Sequence, residues 1–355
     1  MTLVDKSLWG SKITGLPNRA SFFLSALTVF CLLGLAGCDS RPEVINISGT
    51  KMGTSYHITV VADQPAPADL AARIDAALDL VDLSMSTYKP SSELSQFNQL
   101  PVNQQQAISA EFSQVLDISR DVWAQSSGAF DPTVGPLIDL WGFGPVPAKD
   151  TLPSDQAIAL ALQGVGFEHV QQSAQTISKR HPVRLDLSAV AKGYAVDLVA
   201  DLLEMLALPD YLVEVGGEIR LGGSNPEGEA WRVAVEMPSL MPQIQTVIAA
   251  RDTAVATSGD YRNYFEKDGK RYSHTLDPRT GRPITHSLAS VTVLAETCAY
   301  ADAWATALMV LGEEQGMALA ETLQLPVYML LKDADGFKAI SSTAFAPFLT
   351  RQQEI

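Results

Sequence analysis

Cysteine is scarce in this chain, and so is positive charge. Of 355 residues only Cys31, Cys38 and Cys298 carry a thiol, so no disulfide framework holds the fold. There are 25 Lys+Arg against 40 Asp+Glu, a net charge of −15 and a pI near 4.7. A phosphate backbone would be repelled by such a chain, which argues against nucleic acid as a partner. The apolar run over 22–35 is shorter than the roughly 20 residues of a membrane span. Also missing are a Walker-type loop, HExxH, CxxC and the G-x-S-x-G elbow. GFGP at 142–145 is not the dinucleotide fingerprint, and no strand–helix pair surrounds it. Rossmann chemistry and zinc hydrolysis lose most of their ground. With 46% hydrophobic residues, the chain is nonetheless apolar enough for an ordinary globular core.

The N-terminus reads as an address. Lys6, Lys12 and Arg19 precede the apolar run, and Asp5 is the one acid before position 38, the pattern of a secretory signal. The run closes on Leu35-Ala36-Gly37-Cys38, which resembles the bacterial lipoprotein box. That resemblance implies cleavage before Cys38, acylation of Cys38 (palmitate among the acyl groups) and, from Asp39, retention at the periplasmic face of a Gram-negative inner membrane. The expected organisation is a signal peptide over 1–37, a lipidated tether over 38–44 and a folded domain over 45–348. Losing 1–37 removes Lys6, Lys12, Arg19 and Asp5, which moves the net charge from −15 to −17. Cys298 is then the one unmodified thiol, expected as a small buried residue.

Within the domain, the spacing of Leu70, Ile74, Leu78, Val81 and Met85 predicts a helix over 68–85, and further helices are expected over 109–125 and 189–206. Residues 128–148 read as irregular, rich in Gly, Pro and aromatics. A strand is expected over 56–61, and short strands over 211–215, 218–222, 231–236, 245–251, 253–257, 261–266 and 271–276, with Asp268-Gly269 as a hairpin turn. A strand over 290–295, helices over 297–311 and 313–323, and strands over 326–331 and 337–341 close the chain. Strands joined by tight turns pair antiparallel. The expectation is one α+β domain, a mainly antiparallel sheet flanked by helices.

Five clusters carry the chemistry: Met52-Gly53-Thr54-Ser55-Tyr56; 86–98, with Tyr88, Glu93 and Asn98; 128–137, with Ala129, Phe130 and Asp131, followed by Trp141-Gly142-Phe143-Gly144; 186–197; and a composite of 257–261, 273–283 and 301–307. Asp186 is read at a strand end and Ser188 as a helix cap. Main-chain amides there, with Lys192, make an anion site, although a well-capped structural helix has the same sequence. Asp302 and Thr306 lie one turn apart on one helix face. A carboxylate and a hydroxyl so placed can ligate Mg²⁺, or can be a helix charge beside a packed threonine. His274 precedes Asp277-Pro278, and an imidazole of ordinary pKa, near ~6.5, suits a base, though a lone histidine is more often structural. Tyr56, Tyr88, Phe130, Trp141 and Phe143 suit a core or a stacked aromatic ligand. Glu93 and Asn98 read as residues that fix loops.

Taken in order, MGTSY, MSTYKPSSELSQFN, FDPTVGPL with WGFG, DLSAVAKGYAVD and SHTLDPRTGRP resemble the flavin transferase (ApbE-type) family over about 45–348. Those proteins are periplasmic lipoproteins that move FMN from FAD onto a threonine or serine of another protein. The resemblance implies an ApbE-like, T-fold-like architecture and an Mg²⁺-dependent transferase with FAD as substrate, releasing AMP. It implies acceptors among the flavoprotein subunits of membrane redox complexes. It also allows an FAD pyrophosphatase, and a non-enzymatic FAD-binding lipoprotein is the remaining alternative. By position it implies FAD contacts at Met52, Tyr88, Ala129, Phe130, Asp131, Asp186, Lys192 and Leu276. It implies Mg²⁺ ligands at Ala189 (through its main-chain oxygen), Asp302 and Thr306, with His274 assisting the transfer. Some members have Ser or Thr at the position of Ala189, a change that a main-chain ligand tolerates.

The reading of Cys38 has its own test. Cys38→Ser should leave a full-length precursor that takes up no labelled fatty acid, while the extracted protein keeps its activity; normal processing and labelling of the variant would contradict the lipoprotein box.

Overall fold

A computed structural model describes residues 42–144, 151–237, 244–260, 264–267, 269–334 and 336–349. The lipoprotein signal, Cys38 and the first part of the expected tether lie outside the described residues.

The first half of the chain holds β1 (Glu43–Lys51), β2 (Thr54–Ala62), α1 (Leu70–Met85), α2 (Glu93–Gln99), β3 (Gln105–Ala107), α3 (Ala110–Gln125), α4 (Gly135–Trp141), α5 (Asp155–Leu162), β4 (Val170–Ser173), β5 (Thr176–Lys179) and α6 (Ala191–Met205). The second half holds β6 (Asp210–Val215), β7 (Glu218–Gly222), β8 (Trp231–Glu236), β9 (Ile244–Ala250), β10 (Thr253–Gly259), β11 (Tyr264–Lys267), β12 (Lys270–Ser273), β13 (Leu276–Asp277), β14 (Arg282–Pro283), β15 (Leu288–Ala295), α7 (Cys298–Leu323), β16 (Val327–Asp333) and β17 (Gly336–Ser341).

Eight strands form one antiparallel sheet in the order β1-β2-β6-β7-β10-β15-β16-β17. Its two faces are told apart by alternation along each strand. Ile58, Val60, Ala254, Val293, Val327 and Met329 pack with the helices. Val61, Val255, Leu294, Tyr328 and Leu330 pack instead with Trp231, Val233, Val235 and Ile248 of the β8–β9 hairpin and with Phe345. The sheet is thus flanked by helices on one face and by a hairpin on the other. A third apolar group, with Leu137, Trp141, Ile158 and Leu276, ties α4 and α5 to β13. Among the described residues no helix is long and apolar enough to cross a membrane.

Several elements depart from expectation. β1 falls partly on the expected tether; it is an edge strand, only half-buried, so its alternation is weak. The three-stranded sheet β3-β5-β4 and α5 were not foreseen, and the block read as irregular contains α4. The 93–98 segment, for which no element was expected, is α2, with Ser92 as its cap. The strand expected over 271–276 is broken at His274-Thr275. Of the strand expected over 261–266, residues 261–263 lie outside the described residues. The two C-terminal helices are divided at residue 312, as expected: Gly312 is non-helical, and its φ of 78° is open to glycine and costly for other residues. Cys298 is fully buried, as expected.

Ser188 is not the cap of α6. Its N–H and hydroxyl both donate to Asp186 Oδ1, at 2.9 and 2.5 Å, so the hydroxyl is spent on an Asx-type turn. Helix α6 begins after Val190, without a side-chain cap of its own. Its first-turn Gly193 N–H donates instead to Asp302 Oδ2 of α7 at 3.1 Å. In return, Asp197 of α6 accepts the N–H groups of Cys298 and Ala299, both at 2.8 Å, which begin α7. Each helix therefore satisfies orphan amides of the other.

This exchange needs close approach. A Cβ on Gly193 would lie 2.4 Å from the main-chain oxygen of Cys298 and 2.8 Å from Ala299 Cα. Backbone cannot step aside as a flexible side chain can. Gly193→Ala should therefore cost about 1–3 kcal/mol in denaturant unfolding; an unchanged midpoint would show that the two helices have slack.

Candidate active site

The reciprocal caps set Lys192, the second residue of α6, beside Asp302, in the second turn of α7. Both open onto a cavity of about 700 Å³ lined also by Tyr88, Ala129, Phe130, Asp131, Asp186, Ala189, His274, Leu276 and Thr306. Of the residues expected at the site, Met52 alone is not in this lining. It sits in the β1–β2 turn at φ 53°, partly buried against the main core.

The aromatics divide. Tyr88 stands at the mouth, 73% exposed, while Phe130 and Phe143 line the wall. Phe143 meets the His274 ring edge-on at 6.3 Å. Tyr56 and Trp141 are core residues whose polar ends are satisfied internally, by Asp75 at 2.9 Å and by the Gly281 carbonyl at 2.9 Å.

The first wall is a pair of stitched loops. Asp131 Oδ1 accepts the Thr133 N–H at 2.7 Å and the Thr133 hydroxyl at 2.5 Å, and its Oδ2 accepts the Phe167 N–H at 3.2 Å. Burial raises this carboxyl above the usual range, against the pull of those donors. Pro132 accepts the Asp186 N–H at 2.7 Å. Asn98 clamps Leu185 from both sides, donating to its carbonyl at 2.9 Å and accepting its N–H at 2.7 Å. Glu93 accepts the Ser109 N–H at 2.7 Å. Asn98 and Glu93 thus fix loops, the role their positions suggested.

The opposite wall was less legible. The two-residue turn Gly216-Gly217, at φ 62° and 103°, joins β6 to β7 and lines the cavity with Glu214 and Glu218. Both glycines are needed, because side chains rarely adopt such φ values. The signal was present as Gly-Gly between two strand-like runs with a glutamate on each side. Ala234, Val235 and Glu236 of β8 complete this wall.

The electrostatics concentrate at one end. Lys192 Nζ lies 2.6 Å from Glu218 Oε1 and 4.0 Å from Asp302 Oδ2. Burial pushes Glu218 up to about 7 and raises Asp302; Lys192 opposes both shifts, and the Asp302 charge adds to the rise at Glu218. The two carboxylates raise Lys192, overcoming its desolvation. Glu218 Oε2 is buried and has no hydrogen-bond partner among the described residues. One ammonium thus serves two buried carboxylates, and an unpartnered oxygen marks a place short of positive charge. No three His, Cys, Asp or Glu side chains among the described residues gather to hold a metal by themselves. The donors available are a carboxylate, a hydroxyl and the Ala189 main chain, hard oxygens of the kind that Mg²⁺ takes when substrate phosphates supply the rest.

A family model described as the ApbE family matches residues 52–329, and the chain belongs to that family. It is similar to the FAD:protein FMN transferase of Vibrio cholerae serotype O1, with 47% identity over 325 residues, 90% of this chain and 97% of that one. It is similar also to the FAD:protein FMN transferase of Haemophilus influenzae, 42% identical over 330 residues, 90% of this chain and 95% of that one. The solved structure of the flavin transferase ApbE from Vibrio cholerae superposes with a TM-score of 0.81 at 44% identity, covering 87% of this chain and all of that one.

Proposed function

We propose that this chain is an enzyme that binds FAD in the cavity and moves FMN onto a threonine or serine hydroxyl of another protein, with AMP leaving. The observation that carries this reading is the convergence of Lys192, Asp302, Thr306 and His274 on one cavity with aromatic walls, in a chain of the ApbE family.

The acceptor oxygen attacks the FMN-side phosphorus, and the bond from that phosphorus to the AMP oxygen breaks. His274 takes the hydroxyl proton, and Lys192 offers positive charge to the phosphates. Asp302, Thr306 and the Ala189 carbonyl would hold Mg²⁺, which when bound neutralises charge at the pyrophosphate. Phe130 and Phe143 give the isoalloxazine apolar surfaces, and Tyr88 flanks the mouth. Water in place of the acceptor would make the same site a pyrophosphatase. The sequence around Cys38 supports a lipid anchor at the periplasmic face of the inner membrane, and the likeness to the flavin transferases supports acceptors among flavoprotein subunits of membrane redox complexes.

Incubation with FAD, Mg²⁺ and a candidate periplasmic acceptor should give AMP and a covalently fluorescent acceptor in equal amounts. AMP without labelled acceptor would indicate the pyrophosphatase. FAD retained intact would indicate a binding lipoprotein.

His274→Ala should bind FAD with near-unchanged affinity while single-turnover transfer slows by roughly 10²–10⁴-fold, the usual contribution of a positioned acid–base group. Equal losses in binding and rate would reduce His274 to a wall of the pocket.

A further inference from the structure

We propose that Glu218 is a positioning residue: it draws the Lys192 ammonium away from Asp302 and so keeps the Asp302 carboxylate open to a divalent cation. The proposal rests on the reading of Asp302 as a cation ligand.

The geometry supplies the argument. Glu218 is the first residue of β7, held directly behind the Gly216-Gly217 turn, and is 4% exposed. The Lys192 stem lies over the same turn, since a Cβ on Gly216 would come 3.4 Å from Lys192 Cδ. Two carboxylates compete for one ammonium, and Glu218 has it, at 2.6 Å against 4.0 Å. Asp302 is meanwhile oriented by the Gly193 N–H at 3.1 Å. An ammonium seated on Asp302 would occupy the lone pairs a metal needs and would repel the metal by its charge. Rigidity favours the observed choice. Glu218 is fixed to a strand, whereas the lysine stem is flexible and would swing to Asp302 if Glu218 lost its charge.

The test is Mn²⁺ binding, read by the electron paramagnetic resonance of free Mn²⁺, with full-length protein in detergent and no flavin. Glu218→Gln should weaken Mn²⁺ affinity roughly 10–100-fold, as loss of a supporting group around a metal does, with the melting temperature retained. In a Lys192→Met background the same substitution should change affinity by less than about 3-fold, a margin set by the scatter of such single contributions, because no ammonium remains to move. Wild-type affinity in Glu218→Gln would overturn the proposal. An undiminished loss in the Lys192→Met background would also overturn it, since Glu218 would then be a direct ligand. Asp302→Ala separates the two levels. If that variant binds Mn²⁺ like the wild type, the cation lies elsewhere, and the reading of Asp302 falls together with the proposal.

Discussion

The exchange of caps between α6 and α7 is the interaction on which the rest of the site depends. Both helices start without a side-chain cap of their own, and each takes a buried carboxylate from the other: Asp302 for Gly193, Asp197 for Cys298 and Ala299. A lost cap costs about 1 kcal/mol on an exposed helix, and more where the amides are buried. The penalty for placing charge there is visible at Asp197, whose carboxyl burial pushes up to about 6 even with two amides and Arg220 in contact. Arg220 reaches Asp197 Oδ1 at 3.1 Å and Asp201 Oδ1 at 3.0 Å, tying the helix pair to β7. The cap that starts α6 is the same carboxylate that faces the cavity. One side chain therefore both starts a helix and lines the cavity.

That arrangement would let a strongly acidic protein hold an anionic nucleotide. The net charge of −15 works against a pyrophosphate at long range. Within the cavity, Lys192 and a cation on Asp302 would set the local sign, because buried charges are screened far less than surface ones. Asp131 and Asp186 spend carboxylate oxygens on Thr133, Phe167 and Ser188.

Helices α1 and α3 were legible because their apolar positions recur at helical spacing, and the β6–β7 hairpin because glycines punctuate alternating runs. The site was legible as clusters of unusual residues, and the fold brings eleven of the twelve expected cavity residues to one place, all but Met52. What stayed hidden was long-range. β1 is a half-buried edge strand whose pattern needs its neighbour to make sense. Ser188 sits where a cap belongs, yet its hydroxyl is taken locally by Asp186, and the cap arrives from a residue over one hundred positions away. Glu218 was invisible for the same reason, since a glutamate beside a turn shows its partner Lys192 only once the sheet is assembled.

The central claim is that the reciprocally capped ends of α6 and α7 form the phosphate end of an FAD site. A crystal structure with FAD and Mg²⁺ tests it most directly. The account predicts the pyrophosphate between Lys192 and Asp302, with the isoalloxazine against Phe130 and Phe143. A pyrophosphate out of contact with both Lys192 and Asp302 would contradict it.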